Sequence, residues 1–382
     1  MAVNKVRSQP FTAKHPNMKI ADVIKHLEQL APPSYQESYD NAGLLTGMPG
    51  WECTGIICTL DATEAVIFEA KEKGCNLVVA HHPIIFGGLK KITGRNYVEK
   101  TVIAAIKNDI AIFAIHTNLD NVMEGVNGKI ADKLGLINRR VLSEKQNNLM
   151  KLVVFVPKED AEKIRSAIFE AGGGKIGNYS ECSFNLEGIG TFKAEEGADP
   201  YVGKIGQRHE EKEFKIEVIL PAYRQHAIVE AMIAAHPYEE VAYDIIPLGN
   251  YFKEVGSGIV GELASELTET EILQLLKDKF GLAVVRHTTL LGKKVKKIAL
   301  CGGAGSFLIE KAIATGAGFY ITGDVKYHEF FDANDKLVIA DIGHWESEQF
   351  TIDLLFDFLL SKFPTFAVQK SGVQTNPVRY FT

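Results

Sequence analysis

The chain has 382 residues, more than one ordinary hydrophobic core accommodates, so we expect two or three domains. Apolar residues make up 46% and charged residues 24%, as in soluble globular proteins. The net charge of -6, with no run of Lys and Arg, argues against a nucleic-acid partner. Five cysteines without a Cys-x-x-Cys pair are typical of a reducing compartment, and no apolar run reaches the ~18 residues needed to cross a bilayer. We therefore expect a cytoplasmic protein.

The first third of the chain predicts a leader followed by an α/β segment. Residues 1–17 are polar and lack the apolar stretch of a signal peptide, so we interpret them as a polar leader. Apolar residues at helical spacing predict a helix over 20–30. A strand over 55–60, a helix over 62–73 and a buried strand over 77–80 follow, and the last runs directly into His81. A strand over 110–115 then leads to His116 and Asp120.

The last third repeats this pattern. A strand over 297–301, a helix over 307–315 and a strand over 319–322 are followed by a strand over 337–342, which leads to His344 and Glu348. In both segments the last apolar run is followed by a His-x-x-x-acid spacing. We interpret this likeness as an internal duplication of one α/β unit. Strands alternating with helices predict mixed, largely parallel sheets with helices on their faces.

The segment between the two repeats has a different character. Strands over 150–156, 181–192, 214–220 and 241–247, with helices over 159–171 and 223–235, predict a ferredoxin-like α+β insert. The charged, Gly-rich stretch 193–212 is typical of a mobile loop, and Gly256-Ser257-Gly258 of a hinge. The predicted organisation is a leader (1–17), the first half of an α/β domain (18–146), the insert (147–250) and the second half (251–382).

Five side chains of metal-ligand type follow predicted strands of the two repeats. Ligands gather beyond the carboxyl ends of the strands in open α/β sheets, where all five fall. Imidazole and carboxylate together suit zinc, iron or manganese. The five residues are His81, His82, Asp120, His344 and Glu348.

Each part of this set also has a plainer interpretation. Pro83 should end the strand at the histidine pair, where both rings could face one cavity; the alternative is one buried and one exposed histidine. Asp120 could instead be a helix cap or turn former. His344 and Glu348 share a face if a helix begins near His344, although such pairs are also common on solvated faces.

Two further histidines follow predicted strands, and one polar turn precedes them in the chain. His116 could orient a ligand or move a proton, or be a core histidine with satisfied hydrogen bonds. His328 could be a proton shuttle or a surface histidine. The Asp40-Asn41 pair is most simply a turn.

The order of five motifs resembles one known family. Ser-Tyr-Asp-Asn-Ala-Gly-Leu-Leu, Val-Val-Ala-His-His-Pro, His-Thr-Asn-Leu-Asp, Thr-Gly-Asp-Val-Lys-Tyr-His and Gly-His-Trp-Glu-Ser-Glu resemble the Nif-three-like family, widely labelled GTP cyclohydrolase I type 2 homologues. His-Pro-Tyr-Glu-Glu, which begins at His236, resembles the PII/CutA-like insert of the longer bacterial members. The resemblance extends from about Met18 to the last residue.

The resemblance implies a dinuclear metal centre at the five residues above and a ring-shaped homohexamer capped by the inserts. It implies a hydrolase whose metal-bridging hydroxide could open the guanine ring of GTP, with His328 or His116 as proton-transfer candidates. A phosphoesterase using the same site is an alternative. So is a metal-binding regulatory or scaffold protein whose insert senses a small molecule.

Overall fold

A computed structural model describes residues 18–381, and the predicted polar leader at residues 1–17 lies outside the described residues. The chain forms two compact units. The first ends at Ser143 and resumes at Val255, and the second comprises Glu144–Glu254. Within residues 18–381, no helix has the length and apolar character required to span a membrane.

The described strands range from 2 to 17 residues in length. In chain order they are β1 (Gly43–Thr46), β2 (Ile56–Asp61), β3 (Leu77–His82), β4 (Ala111–Ala114), β5 (Ile137–Lys145), β6 (Leu149–Pro157), β7 (Phe184–Lys193), β8 (Arg208–Pro221), β9 (Tyr243–Leu248), β10 (Phe252–Thr268), β11 (Arg286–His287), β12 (Lys294–Ala304), β13 (Phe319–Gly323), β14 (Val338–Asp341) and β15 (Val368–Lys370).

The helices alternate with these strands. They are α1 (Ile20–Leu30), α2 (Glu64–Glu72), α3 (Tyr97–Lys107), α4 (Thr117–Asp120), α5 (Val126–Leu134), α6 (Ala161–Glu170), α7 (Gln225–Ala235), α8 (Glu269–Phe280), α9 (Ile309–Ala314), α10 (His344–Glu348) and α11 (Thr351–Lys362). Short 3-10 helices lie at Pro33–Tyr35, Ala222–Arg224, Ser306–Leu308 and Tyr327–Ala333.

The first unit contains two mixed sheets. In one, of order β1-β4-β3-β2-β15, the last four strands are parallel and β1 is antiparallel. The other has the order β11-β14-β13-β12-β10-β5; β14, β13 and β12 are parallel, while β11 and β10 run antiparallel to their neighbours. The predicted mixed α/β class is therefore confirmed.

The parallel strands of both sheets are buried because apolar side chains cover both of their faces. Ile56 and Val79 of the first sheet share one core with Leu300 and Ile321 of the second. The opposite face of the first sheet packs under α2 and α3, and that of the second packs under α9. For these parallel strands, the carboxyl ends and the loops beyond them are therefore the places where polar side chains gather.

Several local predictions agree with these bounds. The predicted helix over 20–30 is α1, and buried Ile20, Val23 and Leu27 form its apolar stripe. The strand predicted over 77–80 continues through His81 and His82, so Pro83 ends it two residues later than expected. A short helix, α10, begins at His344, as the spacing to Glu348 required.

The second unit has one antiparallel sheet of order β7-β8-β6-β9, with α6 and α7 packed on one face. The prediction of a loop over 193–212 was wrong at its end, because β8 begins at Arg208 and pairs with Lys193 of β7. Charged and polar residues occupy consecutive positions over 208–212 at the start of β8, and their side chains are exposed or partly exposed. A two-stranded ribbon with solvated faces accommodates charge, so composition alone was misleading here.

The predicted hinge at Gly256-Ser257-Gly258 was also wrong. These residues lie inside β10. The Gly256 amide donates to the Asn121 carbonyl at 2.8 Å, and the Ser257 hydroxyl donates to Asn121 Oδ1 at 2.9 Å. Gly256 has a φ of +153°, and a Cβ there would lie 2.0 Å from the Ser143 carbonyl oxygen. Glycine is required here for close backbone packing rather than for flexibility.

Candidate metal centre

The five predicted ligands meet at the carboxyl ends of parallel strands. His81 and His82 are the last two residues of β3, and Asp120 ends α4, which follows β4. His344 and Glu348 are the first and last residues of α10, which follows β14. The two sheets of the first unit therefore contribute ligands to one cluster, in the position that open α/β sheets use for binding.

Short distances join side chains that are far apart in sequence. Glu348 Oε2 lies 2.9 Å from His82 Nε2, 3.3 Å from His344 Nε2 and 3.8 Å from His81 Nε2. The Nε2 atoms of His82 and His344 are 3.3 Å apart. Asp120 Oδ1 lies 3.6 Å from His81 Nε2. Glu348 is thus the centre of the cluster.

The adjacent histidines both reach this cluster although they occupy consecutive strand positions. Their ring centroids are 4.9 Å apart. The His81 ring is fully buried and the His82 ring is partly exposed. The two rings therefore differ in burial, yet both offer a ligand atom to the same cluster.

Three overlapping groups of side chains offer ligand atoms within 4.8 Å of one another. One joins His82, His344 and Glu348, and another joins His81, Asp120 and Glu348. The third joins the β3 histidines with His116. His116 is therefore a sixth potential ligand. From the sequence it was expected to orient a ligand, move a proton or lie in the core, but not to bind a metal.

The atoms His81 Nε2 and Asp120 Oδ1 show whether the cluster suits a metal ion. His81 Nδ1 donates to the Ile115 carbonyl at 2.9 Å, so the neutral ring carries its lone pair on Nε2. That nitrogen and Asp120 Oδ1, 3.6 Å away, are buried and have no hydrogen-bond partner among the described residues. Two desolvated acceptors facing each other are unfavourable unless a cation lies between them. The donor set and its arrangement fit a divalent metal.

Two of the candidate ligand histidines are oriented by carboxylates through their other ring nitrogen. His82 Nδ1 bonds to Asp61 at 2.8 Å, and His344 Nδ1 bonds to Asp324 at 2.7 Å. Carboxylate partners of this kind fix the tautomer and direct Nε2 toward a metal. Asp61 was missed in the sequence. The available signal was an acid at the end of β2, paired with His82 on the neighbouring strand.

The side chains strongly perturb one another's protonation. Burial lowers the pKa of His82, but bonds to Asp61 and Glu348 outweigh it and raise the pKa to about 10. Asp324 and Glu348 likewise outweigh burial at His344 and raise its pKa to about 11. Burial and the charge of Glu348 raise the pKa of Asp120 to about 7. Without a metal, protons are the cations that this cluster attracts.

His116 lies beside the cluster and is held by the Asp40 turn. Its ring centroid is 5.3 Å from that of His81, and its Nδ1 bonds to Asp40 Oδ1 at 2.8 Å. Burial tends to raise the pKa of Asp40, but hydrogen bonds from His116 and Thr117 outweigh it and hold the pKa at about 2. Asp40 therefore does more than form a turn, because its carboxylate orients the His116 ring.

His328 lies elsewhere. It is exposed on the 3-10 helix Tyr327–Ala333, and its ring packs on Tyr327 and Phe331. Among the described residues it belongs to none of the ligand groups. Glu346, the other acid of α10, accepts a hydrogen bond from Asn376 at 3.0 Å and is likewise absent from those groups within residues 18–381.

The mixed α/β fold and the His/carboxylate cluster define a class of protein with a candidate metal centre between two sheets. Comparison with known proteins specifies the family: residues 18–377 match Duf34/NIF3 (NGG1p interacting factor 3), and the chain belongs to that family.

Curated relatives cover most of the chain. A protein named GTP cyclohydrolase 1 type 2 homolog from Halalkalibacterium halodurans is 42% identical over 332 residues, 86% of this chain and 89% of the relative. The protein of the same name from Bacillus subtilis is 41% identical over 325 residues, 85% of this chain and 87% of the relative.

Solved structures agree with this assignment. A Bacillus cereus protein related to NIF3 is 37% identical with a TM-score of 0.84, covering 95% of this chain and 99% of that one. A Staphylococcus aureus protein is 30% identical with a TM-score of 0.75, over the same shares of the two chains.

Proposed function

We propose that this chain is a metal-dependent hydrolase with two divalent ions held by His81, His82, Asp120, His344 and Glu348. The observation that carries the proposal is the pair of buried acceptors, His81 Nε2 and Asp120 Oδ1, which face each other at 3.6 Å without a partner among the described residues. The proposed number of ions, two, is supported by overlapping ligand groups that share Glu348. Zinc, iron and manganese all suit this donor set.

The chemistry follows from the donor set and from the groups around it. Divalent ions bound here would act as Lewis acids and activate water near neutral pH. His116 is the proposed proton-transfer group, because Asp40 accepts from its Nδ1 and leaves Nε2 to take a proton. His328 is the weaker candidate because it is exposed and packs on Tyr327 and Phe331.

GTP is the first substrate to test, since two relatives have the name GTP cyclohydrolase 1 type 2 homolog. The proposed reaction is hydrolytic opening of the guanine imidazole ring. A phosphoesterase would direct the activated water at phosphorus instead, so a panel of phosphoesters belongs in the same screen.

The wider architecture enters the proposal as well. Each sheet of the first unit contains three parallel strands in a row, β4-β3-β2 in one and β14-β13-β12 in the other, with an antiparallel strand beside β4 and beside β14. This likeness supports duplication of one α/β unit. The strand-helix-strand-strand-helix-strand order of the second unit supports a ferredoxin-like, PII/CutA-like insert. A homohexameric ring is proposed from the family resemblance alone, and mass photometry tests it directly.

The function is tested by metal analysis followed by turnover. Purified protein is analysed for bound metal and then, loaded with zinc, iron or manganese, assayed with GTP and with the phosphoester panel. His82→Ala should abolish metal-dependent turnover with the oligomer intact. The matched control is His226→Ala, because the His226 side chain is 88% exposed and its acidic neighbour is Glu230 in the second unit. Metal-loaded protein inert toward every substrate would favour the alternative, a metal-binding regulatory or scaffold protein.

A further inference from the structure

The chain beyond β15 follows a defined path toward the metal centre. β15 pairs with β2 up to the register Lys370–Cys58, and the Ser371 amide then donates to the Cys58 carbonyl at 2.9 Å. The Gly372 amide donates to Glu69 of α2 at 2.8 Å. Residues 371–376, called the strap below, are thus anchored along β2 before they reach the site.

The first contact of the strap with the site is made by Thr375. Its hydroxyl donates to Asp61 Oδ2 at 2.6 Å, and Asp61 Oδ1 accepts from His82 Nδ1 at 2.8 Å. The Asp61 carboxylate is therefore held at both oxygens. A carboxylate held at both oxygens keeps His82 in the tautomer and rotation that direct Nε2 to the ligand cluster.

The second contact is made by the next residue. Asn376 is buried, with 8% of its surface exposed, and its Nδ2 donates to Glu346 Oε1 at 3.0 Å. Glu346 lies on α10, two residues from both His344 and Glu348. The buried amide therefore fixes the short helix that provides both ligands from the second sheet.

We propose that the strap is a positioning element for the metal centre, with Thr375 orienting His82 through Asp61 and Asn376 holding α10 through Glu346. The two ligand-bearing elements lie far apart in sequence, since His82 and His344 are separated by 262 positions. Thr375 contacts Asp61 of β2, which bonds to His82, and Asn376 contacts Glu346 of α10. Adjacent strap residues are therefore linked to both ligand-bearing elements. This inference rests on the proposed metal centre but not on any substrate or reaction.

The test measures metal affinity in the full-length chain with and without the Thr375 hydroxyl. Wild type, Thr375→Val and Thr375→Ser are titrated with Zn²⁺ against a chromophoric chelator. Co²⁺ absorption spectra report ligand geometry. Valine keeps the shape of threonine without its donor, and serine keeps the donor. We expect Thr375→Val to weaken Zn²⁺ binding about 5- to 10-fold, at or below the 10–100-fold range for direct partners of ligand histidines. Thr375→Ser should match wild type in affinity and in spectrum.

A double-mutant cycle adds a readout that general destabilisation would not reproduce. In an Asp61→Asn background, Thr375→Val should change Zn²⁺ affinity no further, because the hydroxyl acts through that carboxylate. Asn376→Leu, which leaves Asp61 untouched, tests the α10 contact and serves if the valine variant fails to fold; it should also weaken Zn²⁺ binding and alter the Co²⁺ spectrum.

Different failures have different meanings. Wild-type Zn²⁺ affinity in both Thr375→Val and Asn376→Leu would overturn the positioning role of the strap and leave the proposed metal centre intact. Equal losses in the valine and serine variants, or additive losses in the cycle, would also overturn it, since the hydroxyl would not act through Asp61. A wild-type protein that binds neither Zn²⁺ nor Co²⁺ would overturn the metal centre and the strap together.

Discussion

Gly303 offers a direct test of the position of Glu348. It lies near the end of β12 with a φ of +62°, and a Cβ there would be 2.4 Å from Glu348 Oε1 and 3.4 Å from His344 Cε1. Gly303→Ala therefore has two costs, backbone strain and a clash with the central carboxylate. Gly135, which follows the last residue of α5, has a φ of +64°, and a Cβ there would meet none of the described residues within 4 Å. Gly135→Ala thus isolates the strain.

The two costs have different magnitudes and readouts. Left-handed backbone at alanine costs roughly 1–2 kcal/mol, so Gly135→Ala should lose about that much stability in chelator and Gly303→Ala at least as much. Only Gly303→Ala forces the Glu348 carboxylate to move, by about 1 Å, which is a large displacement against metal–oxygen bonds of about 2.0–2.2 Å. We expect the Zn²⁺ dissociation constant to rise by roughly 100-fold, which corresponds to about 2.7 kcal/mol.

This loss can be followed as ligand-induced stabilisation. At a free Zn²⁺ concentration about 100 times the wild-type dissociation constant, binding stabilises the protein by about 2.7 kcal/mol. At the same concentration, a variant that binds roughly 100-fold more weakly gains only about 0.4 kcal/mol. Denaturant unfolding with and without Zn²⁺, together with a chelator competition titration, measures both quantities. If Gly303→Ala binds Zn²⁺ as tightly as Gly135→Ala, Glu348 is not a ligand in the observed position.

Three further predictions concern the groups around the ligands. Asp61→Asn should lower Zn²⁺ affinity roughly 10–100-fold in the same titration, and unchanged affinity would exclude its orienting role. Asp40→Asn should lower turnover by about 10-fold or more at unchanged metal content, because proton transfer contributes roughly 10²–10⁴-fold to such reactions. Unaltered turnover would exclude His116 as the proton-transfer group. The pKa of His82 is raised to about 10 and that of His344 to about 11. Protonation of these rings therefore stabilises the folded state in full below about pH 6.5, and this stabilisation is lost as the pH rises through the two raised pKa values. Metal-free protein should therefore unfold more easily as the pH rises above about 6.5, whereas Zn²⁺ affinity should increase; a melting temperature in chelator that rises with pH would contradict this.

The residues of the candidate metal centre could be named from the sequence because their signals are local. A buried apolar run that ends in two histidines, and a His-x-x-x-Glu spacing after another such run, each identify a strand end without knowledge of the partner segment. The meeting of the two segments followed from the rule for carboxyl ends of parallel strands. His82 and Glu348, 266 positions apart, are within 2.9 Å of each other.

The supporting residues could not be predicted in the same way. Asp61 ends β2 in a context typical of many surface acids, and its role depends on the cross-strand register that pairs it with His82. Thr375 and Asn376 follow a three-residue strand and have no periodic pattern. Their roles depend on where the chain beyond β15 passes, and long-range packing rather than local propensity determines that path.

Metal binding and protonation of this cluster are alternatives for one physical reason. His81 Nε2 and Asp120 Oδ1 are buried acceptors 3.6 Å apart, and Glu348 Oε2 lies 3.8 Å from the same nitrogen. The electrostatic cost of placing these acceptors together is offset by positive charge, which either protons or metal ions supply. A proton on the metal-facing nitrogen of a histidine must leave before that ring can bind a metal. The pH dependence of metal-free stability and the pH dependence of Zn²⁺ affinity therefore report the same interaction, and they must change in opposite directions if the five residues form one site.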